Sequence, residues 1–134
     1  MICFKSAAAG VALALGLVAC AGASNAPAKF TDGVLTDSAG MTLYTFDKDP
    51  PSSGKSVCNG PCARIWSPLM ATADDKPAGD WSVVTRDDGS KQWAYKGKPV
   101  YLWSKDPKPG DKTGDGFNKA WRTVKQEAPR SMRY

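Results

Sequence analysis

The stretch Gly40-Met41-Thr42-Leu43-Tyr44-Thr45-Phe46-Asp47-Lys48-Asp49-Pro50 aligns without gaps to Gly97-Lys98-Pro99-Val100-Tyr101-Leu102-Trp103-Ser104-Lys105-Asp106-Pro107. Five of the eleven positions are identical, Leu43/Val100 and Phe46/Trp103 are alike in kind, and a Trp follows each copy at Trp66 and Trp121. Self-similarity at one spacing, here 57 residues, marks two related units and outranks any local propensity in setting the fold. Strand alternation places Tyr44 and Phe46 (Tyr101 and Trp103) on one face, with Leu43 and Thr45 (Val100 and Leu102) on the other. Both faces are largely apolar. Such a strand lies between two layers or turns its aromatic face toward a ligand. Gly40 and Gly97 supply the entering turns. Lys-Asp-Pro closes each strand, where Asp49 and Asp106 are expected to cap backbone N–H groups in Asx-turns; ligand or metal contact is the competing reading.

Working outward, Val34–Asp37, a Ser38-Ala39-Gly40 turn and Thr42–Phe46 form a first hairpin. Trp81–Thr85, an Asp87-Asp88-Gly89 turn, Gln92–Tyr95, Lys96-Gly97 and Pro99–Trp103 form a three-stranded meander. The one expected helix is short, around Gly60–Ile65. The fold class is therefore mainly β: a small antiparallel sheet or sandwich built from two hairpin-containing repeats, about 34–70 and 81–125, within one domain spanning 30–134. Composition agrees, since twelve Asp against one Glu, with eleven Gly and ten Pro after position 20, favour turns over helix interiors.

The chain of 134 residues opens with Lys5 and an apolar run, Ala7–Ala19, the layout of a secretory signal too short to span a bilayer stably. Leu17-Val18-Ala19-Cys20 resembles a bacterial lipobox, which makes 1–19 a signal peptide and Cys20 the lipidated first residue of the mature protein. A plain signal cut near Ala23 is the alternative. Two or three acyl chains, at about 0.8 kcal/mol per buried methylene, give durable membrane anchoring. Residues 20–29 are small and polar with nothing to pack, and read as the lipidated tether. By resemblance to enterobacterial lipoproteins, in which an Asp after the Cys favours inner-membrane retention, Ala21 implies an outer-membrane anchor.

Loss of the signal removes Cys3, and lipidation consumes Cys20, leaving Cys58 and Cys62. Outside the cytoplasm, two thiols flanking Asn59-Gly60-Pro61 are expected to form a disulfide. A redox dithiol is a competing role, though the spacing exceeds Cys-x-x-Cys by one residue and Pro61 adjoins the second Cys. Copper(I) would draw on Met41, Met70 and Met132 besides.

Several functions are excluded outright. The chain has no His, so Ser-His and Cys-His catalysis, His zinc sites and His haem ligation are absent. The formal charge, 18 Lys+Arg against 13 Asp+Glu, falls from +5 to +4 when Lys5 leaves, short of a nucleic-acid signature. Asp106, Asp111 and Asp115 lie in an Asp/Gly-rich loop, but Lys108 and Lys112 interrupt it and the EF-hand pattern fails, so no metal is expected. Asp74-Asp75 and Asp87-Asp88 are adjacent pairs unlike a glycosidase's opposed carboxylates. Lys91, Lys96, Lys98 and Lys105, with exposed Trp or Tyr, suit an anionic lipid or polysaccharide.

Tyr44-x4-Asp49, Tyr101-x4-Asp106, the lipobox and Cys58…Cys62-Ala63-Arg64-Ile65-Trp66-x-Pro68 together resemble the secreted bacterial lipoproteins with tandem Yx4D repeats, a family of unknown function. The likeness runs from about Val34 to Trp121. It implies an architecture and an envelope location, and transfers no catalytic residue. The expected function is a lipid-anchored, non-enzymatic binding or structural module without cofactor. Its partners are the membrane and an envelope polymer or protein, with no nucleic acid. The alternative is a periplasm-facing redox or metal-handling lipoprotein using Cys58 and Cys62.

Overall fold

A computed structural model describes residues 26–128, so the segment expected to be a signal peptide (1–19), Cys20 and most of the expected tether lie outside the described residues. The element order is β1 (Ala28–Thr31), β2 (Val34–Asp37), β3 (Leu43–Phe46), α1 (Pro61–Ile65), β4 (Trp66–Pro68), β5 (Met70–Ala71), β6 (Trp81–Thr85), β7 (Lys91–Tyr95), β8 (Lys98–Trp103) and β9 (Trp121–Thr123), with a 3₁₀ turn at Phe117–Lys119 before β9. Every pairing is antiparallel. The described residues are mostly β, with 38% strand and 8% helix and no closed barrel among them, as the repeat pattern implied.

The two copies of the repeat meet edge to edge at the centre of one sheet. β3 pairs β8 with Tyr44 opposite Tyr101, Leu43 opposite Leu102 and Thr45 opposite Val100. The outer neighbours mirror each other: β9 lies on β3 with Trp121 opposite Phe46, and β4 lies on β8 with Trp66 opposite Trp103. A pseudo-twofold axis therefore runs between Tyr44 and Tyr101. Beyond their turn, β7 and β8 pair only at Ala94/Pro99 and Tyr95/Lys98. The β4–β5 segment bridges the two, β4 on β8 and β5 on β7, and Leu69 donates its N–H to Val100 O at 3.1 Å while accepting that of Trp93 at 2.8 Å. The other repeat repeats the device, with Leu35 N–H donating to Val124 O at 2.9 Å.

Alternation along the central strands covers both faces. Tyr44, Tyr101 and Trp103 join Trp66, Trp121 and Cys58 in an aromatic cluster. Leu43 and Val100 join Leu35, Trp81 and Trp93 in a second cluster on the opposite side. Both central tyrosines and Leu43 are fully buried. At about 25 cal/mol per Å² of apolar surface removed from water, such side chains are the main stabilising element.

Two expectations need correction. The segment read as tether to residue 29 enters the fold earlier, because Ala28–Thr31 forms β1, a hairpin with β2 through Asp32-Gly33, and Ala28 and Phe30 pack on the second cluster. Its small residues concealed a strand whose pattern is only intermediate in burial. The expected Val34–Phe46 hairpin is reduced to one bridge, Thr36 with Thr42, and an Asp37 N–H bond to Met41 O. The β2 ladder is with β1 instead. The turn itself is held by Asp37, whose Oδ1 accepts the N–H groups of Ala39 and Met41, both at 2.9 Å. The β6–β7–β8 meander and the short helix form where expected.

Candidate functional site

Each Yx4D motif puts its Tyr and Asp in different places. The Tyr44 hydroxyl donates to Asp106 Oδ2 at 2.7 Å, and the Tyr101 hydroxyl donates to Asp49 Oδ2. The motif thus pairs across the dyad, the tyrosine of one repeat with the carboxylate of the other. The second carboxylate oxygen caps a backbone group, as expected of an Asx-type residue, but farther along the chain: Val57 N–H donates to Asp49 Oδ1 at 2.7 Å and Thr113 N–H to Asp106 Oδ1 at 3.0 Å. Burial raises both tyrosine pKa values well above the ordinary range, and the carboxylate acceptors push the same way. Burial likewise raises Asp49 above its ordinary value, opposed by the Tyr101 and Val57 hydrogen bonds and by the charges of Lys98 and Arg86.

Arg86 is the residue the sequence pattern concealed. It is 5% exposed, and its guanidinium donates to Gln92 Oε1 at 2.7 Å, Ser56 Oγ at 3.1 Å, Cys58 O at 2.5 Å and Asn59 Oδ1 at 3.1 Å. Ser56 Oγ is in turn bonded to the Tyr101 hydroxyl. A buried cation and a buried carboxylate are thus linked through two hydroxyls, a fully partnered network of the kind that fixes one packing. Only a charged side chain just before the Asp87-Asp88-Gly89 turn signalled it. The Cys58–Cys62 disulfide forms beside this network, with an S–S distance of 2.01 Å. Cys58 is fully enclosed, and Cys62 is half-buried.

The aromatic faces of the two repeats form a stack that reads the same from either end: Phe46, Trp121, Trp66, Trp103. Successive centroids lie 4.3, 3.8 and 3.9 Å apart, with interplanar angles of 6°, 3° and 30°. Gly114 permits the approach, because a Cβ there would stand 2.7 Å from Trp66 and 3.0 Å from Trp103. Over the stack opens a cleft of about 340 Å³, lined also by Ile65, Phe117 and Asn118 and by Lys48 and Lys105. The two lysines hold the same position in the two repeats, so the dyad that pairs the motifs also gives the cleft its two charges. No lining residue is acidic. Lys105 Nζ sits 5.7 Å from the Trp103 ring centroid, and Ile65 and Phe117 stand 43% and 39% exposed. Asn118 and Lys119 both hold left-handed backbone, φ 51° and 56°, at the cleft edge. Non-glycine residues there cost about 1–3 kcal/mol each and concentrate at functional sites.

Among the described residues, none of the three cleft indole N–H groups has a protein acceptor, and none is sealed from solvent. The stacked faces are consumed by one another, so the expectation that sugars stack on these Trp faces is narrowed to Phe117 and to the indole edges. A larger depression, about 430 Å³, lies between Ser52-Gly54 and β6. Its cation, Lys96, pairs with Glu127 at 3.2 Å.

The weak metal candidates Asp106, Asp111 and Asp115 are kept apart. Asp106 serves Tyr44 and Thr113, Asp115 Oδ1 accepts Thr123 N–H at 3.0 Å, and no three metal-ligating side chains converge among the described residues. Of the other lysines singled out, Lys98 turns inward and donates to Phe46 O and Asp49 O at 2.8 and 2.7 Å, while Lys91 donates to Thr85 Oγ1 on the meander.

A family model described as a secreted repeat of unknown function matches residues 28–70 and 82–125, two tandem segments covering more than half of the chain. The chain belongs to this family. The first matched segment takes in β1, and the two segments are the halves related by the dyad between Tyr44 and Tyr101. No curated protein and no solved structure matches the chain.

Proposed function

We propose that this secreted repeat protein is a lipid-anchored component of the bacterial envelope, acylated at Cys20 and held at the outer membrane, whose domain is a non-catalytic binding module. The observation that carries the reading is the cleft on the dyad. It combines a floor of stacked rings with exposed Ile65 and Phe117 and two lysines, and neither a carboxylate nor a nucleophile–base pair lines it. Its volume is at the low end for small-ligand sites, and its charges come from the turns that follow β3 and β8. A redox role for Cys58 and Cys62 is less well supported, since Cys58 is enclosed and its carbonyl is held by Arg86. An exchange pair needs an accessible, activated sulfur.

Intact-mass measurement on protein from the native membrane fraction tests the reading. The expected product begins at Cys20, carries acyl chains, and shows no change on mild reduction. A chain retaining residues 1–19, or free thiols at 58 and 62, contradicts it.

A further inference from the structure

We infer that the cleft on the dyad accommodates an acidic polysaccharide, a run of sugars bearing carboxylates, with the acids meeting Lys48 and Lys105. This inference rests on the reading of the cleft as the binding surface, and adds the ligand's chemical class.

Charge comes first. Two cations at equivalent repeat positions flank the opening, no acid lines it, and neither ammonium is bonded to a carboxylate among the described residues. Hydrogen-bonding character is the second observation. The polar groups of the lining side chains are two ammonium groups, the Asn118 amide and three indole N–H groups without a protein acceptor; the Asn118 carbonyl is the one conventional side-chain oxygen acceptor among them. A lining whose few polar side-chain groups are nearly all donors suits a ligand with many oxygens and few N–H groups. A uronate sugar meets that description, with ring, hydroxyl and carboxylate oxygens. An acidic peptide brings a backbone N–H at nearly every residue, and each would need an acceptor this lining scarcely has. Shape is the third. Ile65 and Phe117 are half-exposed beside a concave floor, and the C–H face of a pyranose can rest on Phe117 while its oxygens reach Lys48 and Lys105. A planar lipid surface would leave that floor unfilled. The twofold repetition of Lys48 and Lys105 matches a ligand whose charges recur along its length.

The test titrates the full chain with polygalacturonate oligomers, neutral glucan oligomers of the same length, polyglutamate and phosphatidylglycerol vesicles, reading indole fluorescence and calorimetric heat. The expected result is polygalacturonate binding at least about tenfold tighter than glucan, weakened severalfold between about 50 and about 300 mM salt. The Lys48→Gln/Lys105→Gln double variant should lose about tenfold or more in affinity, with an unchanged near-UV spectrum, because both side chains are exposed. Phe117→Ser should weaken binding at every salt concentration. Polyglutamate or vesicles binding as tightly as polygalacturonate, with the same lysine dependence, overturns the glycan assignment and leaves the cleft as a binding surface. Glucan binding that Phe117→Ser removes and the lysine variants spare overturns the acidic class alone. If no titrant responds to any cleft variant, both the ligand class and the cleft reading fail.

Discussion

Asp49 and Asp106 hold the same place in the two repeats and accept the same kind of hydroxyl, yet their surroundings differ in depth and composition. Asp49 is fully enclosed, and behind its Tyr101 partner stand Ser56, Arg86 and Gln92, a network reaching from the disulfide loop to β7. Asp106 is 7% exposed, and its other contacts are local, the N–H and hydroxyl of Thr113, with Gly114 N–H donating to the Tyr44 hydroxyl at 3.3 Å. The motif therefore specifies a joint across the dyad and leaves its support free to diverge. On the first side the support is a buried ion and a covalent staple. On the second it is a turn of backbone.

The difference can be broken from its strongest point. Arg86→Met leaves the Cys58, Gln92 and Asn59 carbonyls without this donor, and the Asp49 charge without its distant counterpart. A loss of about 3–5 kcal/mol in urea unfolding is expected. Tyr101→Phe should follow at about 3 kcal/mol, since it strips a buried carboxylate of its hydroxyl donor and interrupts the path to Arg86. Replacing Cys58 and Cys62 together by Ala should cost about 2 kcal/mol, the loop-closure figure for so short a ring. Tyr44→Phe should cost least of the four, about 1.5 kcal/mol, because Asp106 keeps Thr113 and some solvent. Equal losses for Tyr101→Phe and Tyr44→Phe would show that the two joints do not differ in energy.

The pH dependence sharpens the same contrast. Burial lifts the folded-state pKa of Asp49 above its ordinary 3.8, so the ionised form carries a cost that protonation relieves. As pH falls from neutral through that raised value toward 3.8, the wild type should gain stability relative to Asp49→Asn, whose site does not titrate. Urea midpoints of the pair across the acid range check the sign; a shift in the other direction would mean that the hydrogen bonds outweigh burial.

Much of this architecture was legible because it is written locally. The 57-residue repetition, the alternation Leu43-Tyr44-Thr45-Phe46 and the Gly-marked turns gave the central strands, the meander and their two covered faces. The cross-dyad exchange of Tyr and Asp was not legible, since a motif shows spacing along one strand while its partners lie 62 and 52 positions away. Arg86 looked like an ordinary turn-flanking cation, and nothing near it in the chain announces burial. β1 was hidden by Ala28 and by a polar lead-in that says tether more loudly than strand. The cleft appears only when both repeats are assembled, because each contributes two rings of the stack and one of the two charges.

The ring stack across the dyad gives the molecule an optical signature. Trp66 and Trp121, from different halves of the chain, lie with almost parallel rings, centroids 3.8 Å apart, close enough for their electronic transitions to mix. Near-ultraviolet circular dichroism should therefore carry a paired band belonging to neither half alone. Its disappearance during unfolding marks the moment the halves separate, and its perturbation by a titrant marks an occupant above the seam.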